Sequence, residues 1–245
     1  MATVKYDKNV YLAMLAEQCS RYEEMVKFLE DMVKTKDQDI NSDERNLLSI
    51  AYKNSISSRR GALRTIMAYE NKEKKKESSN FLPYIQEYRK KVEDELTKSC
   101  EAILSSIDNN LLKKASDNEA KVFYIKMKGD YNRYIAEYAQ GDLKDKVSKD
   151  ALNSYNEAST LAKDLPTMNA IALGLALNFS VFYYEVMNDH KKAIEIATES
   201  YEKAEKEMPN IDEDADENRD SVSIVNLLKE NLDMWKQEEE EGGDN

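Results

Sequence analysis

Two pairs of basic residues stand seven positions apart, each inside a run with helical character. Lys53 and Arg60 lie in the run Glu44–Arg60, and Lys126 and Arg133 lie in the run Lys121–Tyr134. Seven residues is close to two α-helical turns, so the members of each pair share a face. If the two helices pack side by side, their cationic side chains converge. Two guanidiniums, an ammonium and a tyrosine hydroxyl in one place make an anion site, most naturally for a tetrahedral phosphate. Taken alone, such a pair on a helix is most often a solvated face, because Lys and Arg are usually exposed. Convergence is what would turn the faces into a site.

The rest of the chain supplies the helices that such convergence needs. With only 6 Gly and 3 Pro in 245 residues, there is little turn chemistry for a sheet and much room for long helices. Residues 4–36 read as two short helices, with apolar stripes at Leu12, Leu15, Ala16 and Cys19 and at Met25, Phe28, Leu29 and Met32. Asn41-Ser42-Asp43-Glu44 is a helix-start signal, and a long helix is expected over about 42–72. Pro83 suits the first turn of a helix over about 82–109. Asp117 or Asn118 caps the helix carrying Lys126 and Arg133, which is expected to run to about 140 and be closed by Gly141-Asp142. Further helices are expected over about 147–164, 169–188, 190–207 and 219–237. The 169–188 stretch is apolar almost all round and reads as the central buried helix. His190 is expected at a helix end, 212–217 as an acidic linker, and 238–245 as an acidic disordered tail. The fold class is therefore all-α, with about nine antiparallel helices in a single domain over 1–237 and no strand.

Composition excludes several function classes. A formal net charge of -12 argues against non-specific nucleic-acid binding, although a focused basic groove on an acidic body remains compatible with it. No apolar run approaches the roughly 18–20 residues of a membrane span, and Met1–Lys8 has no apolar leader. Asn178-Phe179-Ser180 matches a glycosylation sequon, which reads as accidental inside a helix. Cys19 and Cys100 read as reduced, partly buried thiols of a cytoplasmic protein. No Cys/His cluster has metal spacing, no phosphate-binding glycine loop is present, and no nucleophile stands with a base, so neither metal, cofactor nor catalytic residue is expected.

Three stretches carry a family resemblance. Arg45-Asn46-Leu47-Leu48-Ser49 on through Arg60, Lys126-Met127-Lys128-Gly129-Asp130-Tyr131, and Leu175-Ala176-Leu177-Asn178-Phe179-Ser180-Val181-Phe182-Tyr183-Tyr184-Glu185 closely resemble the signature segments of the 14-3-3 proteins. The resemblance covers essentially the whole chain, in order. It implies a dimeric, all-helical cup that binds extended phosphoserine or phosphothreonine peptides in an amphipathic groove, without catalysis and without a cofactor.

Carried over residue by residue, the resemblance places the phosphate cradle on Arg60, Arg133, Tyr134 and Lys53, and the peptide-backbone lysine on Lys126. It places main-chain-binding amides on Asn178 and Asn231 and an apolar wall on Leu177, Val181, Ile224, Leu227 and Met234, with Trp235 at the rim. Glu185 shares the face of Asn178 and Val181 and joins the expected groove. Asp130 and Glu137, three before and four after Arg133, match carboxylates that steady the arginines. The implied dimer uses 1–36 with parts of 58–96, pairing Arg21 with Glu95 and Glu24 with Lys91 around Leu15, Ala16, Leu63 and Tyr88. A homodimer is expected, with a heterodimer with a paralogue as its alternative. Four positions depart from the family pattern: Leu63 stands where Trp is common, Ala62 where a regulatory Ser is, Asn132 where Tyr is, and Ser223 where Leu is.

The implied partners are phosphorylated client proteins in the cytoplasm, or also in the nucleus, with neither nucleic acid nor membrane. The alternative reading is a paired-helix repeat scaffold that holds acidic or carboxylate-terminal peptides without need of phosphorylation.

Overall fold

A computed structural model describes residues 7–76, 78–212, 215, 216 and 218–242. Among the described residues there are nine α-helices and no strand, as the sequence predicts. The chain forms two compact units, Met1–Lys114 and Ala115–Asn245.

The first unit contains α1 (Lys8–Gln18), α2 (Tyr22–Thr35), α3 (Ser42–Lys74) and α4 (Leu82–Ser106). Asn41 and Glu44 start α3 with a reciprocal capping box, both bonds at 3.0 Å. Pro83 lies in the first turn of α4, which ends at Ser106 and continues as a π-helical turn, Ile107–Leu111, rather than as regular helix to 109. The core of this unit joins Met25, Leu29 and Met32 of α2 to Leu48, Tyr52 and Ile56 of α3 and Leu96 of α4. Burial pushes the Tyr52 hydroxyl well above its usual range. Lys114 closes the C-terminal end of α2 by donating to the Val33 and Lys36 carbonyls at 2.8 and 2.5 Å. Both cysteines are free; Cys100 is buried, but Cys19, just past α1, is exposed rather than half-covered.

The second unit contains α5 (Asn118–Ala136), α6 (Gly141–Leu161), α7 (Ala170–Glu185), α8 (His190–Glu207) and α9 (Arg219–Gly242). Asp117, Asn169 and Asp189 cap α5, α7 and α8. Two expected boundaries are corrected. Gly141 opens α6 instead of closing α5: its φ of +56° is a left-handed conformation that suits glycine, and the chain reverses through the four residues before it. The last helix runs on through Glu238–Gly242, the first part of the stretch expected to be disordered; residues 243–245 lie outside the described residues, as do 213, 214 and 217 of the expected acidic linker.

Small residues let α8 approach α9 closely. Ala193, Ala197 and Ala204 face Val225, Leu228, Leu232 and Trp235 in one core cluster. The α7 helix is not buried all round: Leu173, Phe179 and Phe182 are core, while Ile171, Leu177 and Val181 are only half-buried. Its surplus of apolar residues therefore reaches an accessible surface. Among the described residues no helix is long and apolar enough to cross a membrane.

Candidate functional site

The α5 helix is unusual in what it buries. Asp130, Asn132 and Arg133 are each 6% exposed, although charged side chains are rarely covered without partners. Asp130 is the hub. Its Oδ2 accepts from the Lys126 ammonium at 2.8 Å, and its Oδ1 accepts from the Tyr155 hydroxyl at 2.7 Å and from Asn178 Nδ2 at 2.8 Å. Burial opposes the Asp130 charge, but the Lys126 and Arg133 cations, with the hydrogen bonds from Lys126 and Tyr155, outweigh it and hold the carboxyl below its usual range. Asp130 thus anchors two residues expected to read a peptide main chain, one from α5 and one from α7.

Arg133 is held differently. Its Nε donates to the Tyr155 hydroxyl at 3.2 Å, and its guanidinium lies over the Tyr134 ring, 4.7 Å from the centroid. The carboxylates expected to steady it do pair with it, at the longer distances of 3.8 Å for Asp130 and 3.5 Å for Glu137. Against the burial that disfavours its charge, the Tyr155 and Tyr134 hydroxyls and Asp130 raise the pKa of Arg133. Its terminal nitrogens pair with Asp130 and Glu137 at distances longer than a hydrogen bond.

The apolar side lies on α7 and α9. Leu177, Val181 and Ile224 are half-buried against the α8–α9 core, and Leu227 and Met234 are 44% and 48% exposed. The basic and apolar sides meet at Gly174, where an added Cβ would lie 3.6 Å from Lys126 Cε and 3.8 Å from Ile224 Cδ1. Asn231 is half-buried, Glu185 is exposed at the end of α7, and Ser223 is exposed. Trp235 is a correction: at 2% exposure it is core, not rim, stacked on Tyr184 at 4.6 Å, which in turn stacks on His190 at 4.2 Å. Asn132 turns its amide onto its own helix, donating to the Lys128 carbonyl at 2.9 Å.

In the first unit, Lys53 is exposed and Arg60 half-buried, seven residues apart on α3 as the spacing requires. The expected dimer residues divide. Leu15 and Tyr88 are 51% and 54% exposed, whereas Ala16 and Leu63 are at 5% and 3%, already covered within the chain. Ala16 and Leu63 therefore support the surface from beneath rather than offer one, and the exposed apolar residues near them in sequence are Tyr11, Met14, Tyr69, Phe81 and Tyr84. Arg21 pairs with Glu24 within the chain, and Glu95 lies 3.8 Å from Arg59, while Lys91 and Ala62 are exposed.

Sequence reasoning missed Gly129 and Tyr155. A Cβ on Gly129 would lie 2.6 Å from the Tyr155 ring, so α5 and α6 approach closely there only because residue 129 has no side chain. The signal was present, since a mid-helix glycine costs about 1 kcal/mol against alanine and commonly marks a close approach.

Comparison with known proteins agrees with this architecture. The 14-3-3 protein family matches residues 12–236. The chain is 45% identical over 241 residues to 14-3-3-like protein A of Hordeum vulgare, covering 97% of this chain and 91% of that protein. It is 44% identical over 246 residues to 14-3-3-like protein GF14-F of Oryza sativa subsp. japonica, covering 99% and 94%, and 45% identical over 232 residues to 14-3-3-like protein B of Glycine max, covering 94% and 93%. An all-α chain with this match over nearly its whole length belongs to the 14-3-3 family. Membership supports an adapter or regulatory role exercised by binding client proteins, in a family of adapters rather than enzymes.

Proposed function

We propose that this protein is a phosphoserine- and phosphothreonine-dependent adapter that holds extended segments of client proteins. The observation that carries the reading is the state of Arg133: buried and compensated, with its Nε on Tyr155 and both nearby carboxylates at 3.5 Å or more. A phosphate carries close to two charges and three strong acceptors at neutral pH, and such a guanidinium meets it with little rearrangement. In this reading Lys53, Arg60, Arg133 and Tyr134 take the phosphate. Lys126, Asn178 and Asn231 take the peptide main chain, and Leu177, Val181, Ile224 and Leu227 take its apolar side chains. Unphosphorylated serine would leave the cations unpaired, which is the basis of discrimination.

A second copy would cover the exposed apolar residues of α1, α3 and α4, with the Arg21–Glu24 contact exchanged for pairs with Glu95 and Lys91 of that copy. The protein would work in the cytoplasm. The test is an anisotropy titration of a labelled phosphoserine peptide and its unphosphorylated twin, with an Arg60→Glu/Arg133→Glu variant as control. Binding of the phosphopeptide alone, abolished in the variant, is expected. Equal binding of both peptides would sink phospho-dependence and favour a scaffold for acidic or carboxylate-terminal peptides.

A further inference from the structure

We infer that Tyr155 is a positioning residue for the phosphate-reading arginine, and that Gly129 is the opening through which it acts. The inference rests on the phosphopeptide reading above, but its geometry lies wholly within α5, α6 and α7. The Tyr155 ring is fully buried. It stacks on Phe179 at 5.1 Å and tilts against Phe182 at 5.5 Å, while the bare backbone of Gly129 lies against its edge. With its ring so confined, the hydroxyl has one address.

At that address the hydroxyl uses its proton and a lone pair on opposite charges. It donates to Asp130 Oδ1 at 2.7 Å and accepts from Arg133 Nε at 3.2 Å. A bare Arg–Asp pair three apart on a helix tends toward a direct, charge-assisted contact. Here the hydroxyl stands between the two groups, and the guanidinium stays 3.8 Å from the carboxylate. Without it, Arg133 would be drawn onto Asp130 and its terminal nitrogens turned inward. The same rearrangement would disturb Lys126 and Asn178, which share that carboxylate. Phosphate reading by Arg133 and main-chain reading by Lys126 and Asn178 are thus coupled through one buried oxygen. Gly129 completes the device, because a Cβ there would push the ring off and move the hydroxyl away from the neighbouring Asp130.

The test is Tyr155→Phe in the full chain, which removes one oxygen and keeps the ring. Anisotropy would be measured with a phosphoserine peptide and its unphosphorylated twin, and the Arg133 Nε–Hε signal would be followed by NMR in the unliganded protein. Losing a hydrogen bond to a charged group predicts a phosphopeptide affinity lower by about ten-fold or more, with the weak binding of the twin unchanged. The Arg133 Hε, protected from solvent exchange in the wild type, would shift and exchange faster in the variant. Unchanged phosphopeptide affinity alongside a lowered Tm would reduce Tyr155 to a packing residue and overturn the inference. So would fast exchange of Arg133 Hε in the wild-type protein, a result that needs no variant to fold. A wild type indifferent to phosphopeptide, with Hε still protected, would overturn the functional reading itself.

Discussion

Two buried carboxylates on long helices, Glu70 in the first unit and Asp130 in the second, are treated differently. Glu70, 3% exposed, lies between α3 and α4. It accepts from Lys74 at 2.7 Å, Arg89 at 2.8 Å and Gln86 at 3.3 Å, and Arg89 continues to Glu93 at 2.6 Å. Every charge there is clasped at hydrogen-bond distance. Asp130 also has three close donors, yet its arginine, Arg133, is held off at 3.8 Å with a tyrosine hydroxyl between. Arg89 is spent inside the fold, whereas Arg133 is kept in reserve. A closed network of ion pairs and hydrogen bonds rigidifies a helix pair, and an incompletely clasped one leaves interaction capacity for a ligand.

The sharpest way to break this contrast is to swap each arginine for lysine. Arg133→Lys keeps the charge but loses the planar fork and the Nε contact; phosphopeptide affinity should fall by about 10–100-fold, with little change in Tm. Arg89→Lys should do the reverse, costing about 1–3 kcal/mol of stability in denaturant unfolding and leaving the affinity intact. If both variants lose affinity equally, the division of labour is wrong.

Gly129→Ala comes next. The clash with the Tyr155 ring should cost about 1–3 kcal/mol, read as a lowered Tm, and should weaken phosphopeptide binding as well, which a substitution at open Gly61 should not.

Acid separates the two carboxylates further. The hydrogen bonds from Lys74 and Arg89 hold the Glu70 carboxyl at about 2, below its ordinary value of 4.5. Its contribution is therefore full above the unfolded value and lost as pH falls from 4.5 toward 2. Glu70→Gln should lower stability at neutral pH and flatten the acid limb of the stability–pH curve over that window. Asp130→Asn should instead weaken peptide binding at neutral pH, because Lys126 and Asn178 lose the charge that holds them.

The smallest effect is expected where a buried carboxylate is absent. The Tyr184 hydroxyl donates to the exposed Glu238, which raises its pKa to about 12. Tyr184→Phe should change global stability by less than about 1 kcal/mol and only speed amide exchange over 238–241. A large loss would mean that the end of α9 carries more of the second unit than its exposure suggests.

Much of this was legible in the sequence. Helix starts at Asn41 and Asp117 follow from local capping chemistry, and the shared faces of Lys53 with Arg60 and of Lys126 with Arg133 follow from helical period. Where local signals misled, a neighbour decided. Gly141 reads as a stop, but its left-handed φ serves equally well to open the next helix. Trp235 reads as a rim residue on a groove stripe, yet it is covered because Tyr184 stacks on it from α7. The α7 pattern reads as buried all round, and only packing decides which apolar residues stay accessible.

Periodicity and capping act over four to seven residues, so the sequence by itself determined the all-α class, the family and the residues that face together on one helix. The hold-off of Arg133 depends on contacts between residues 22 and 25 positions apart and on the missing Cβ of Gly129. Such distances arise from how closely two helices approach, and only the tertiary structure sets that.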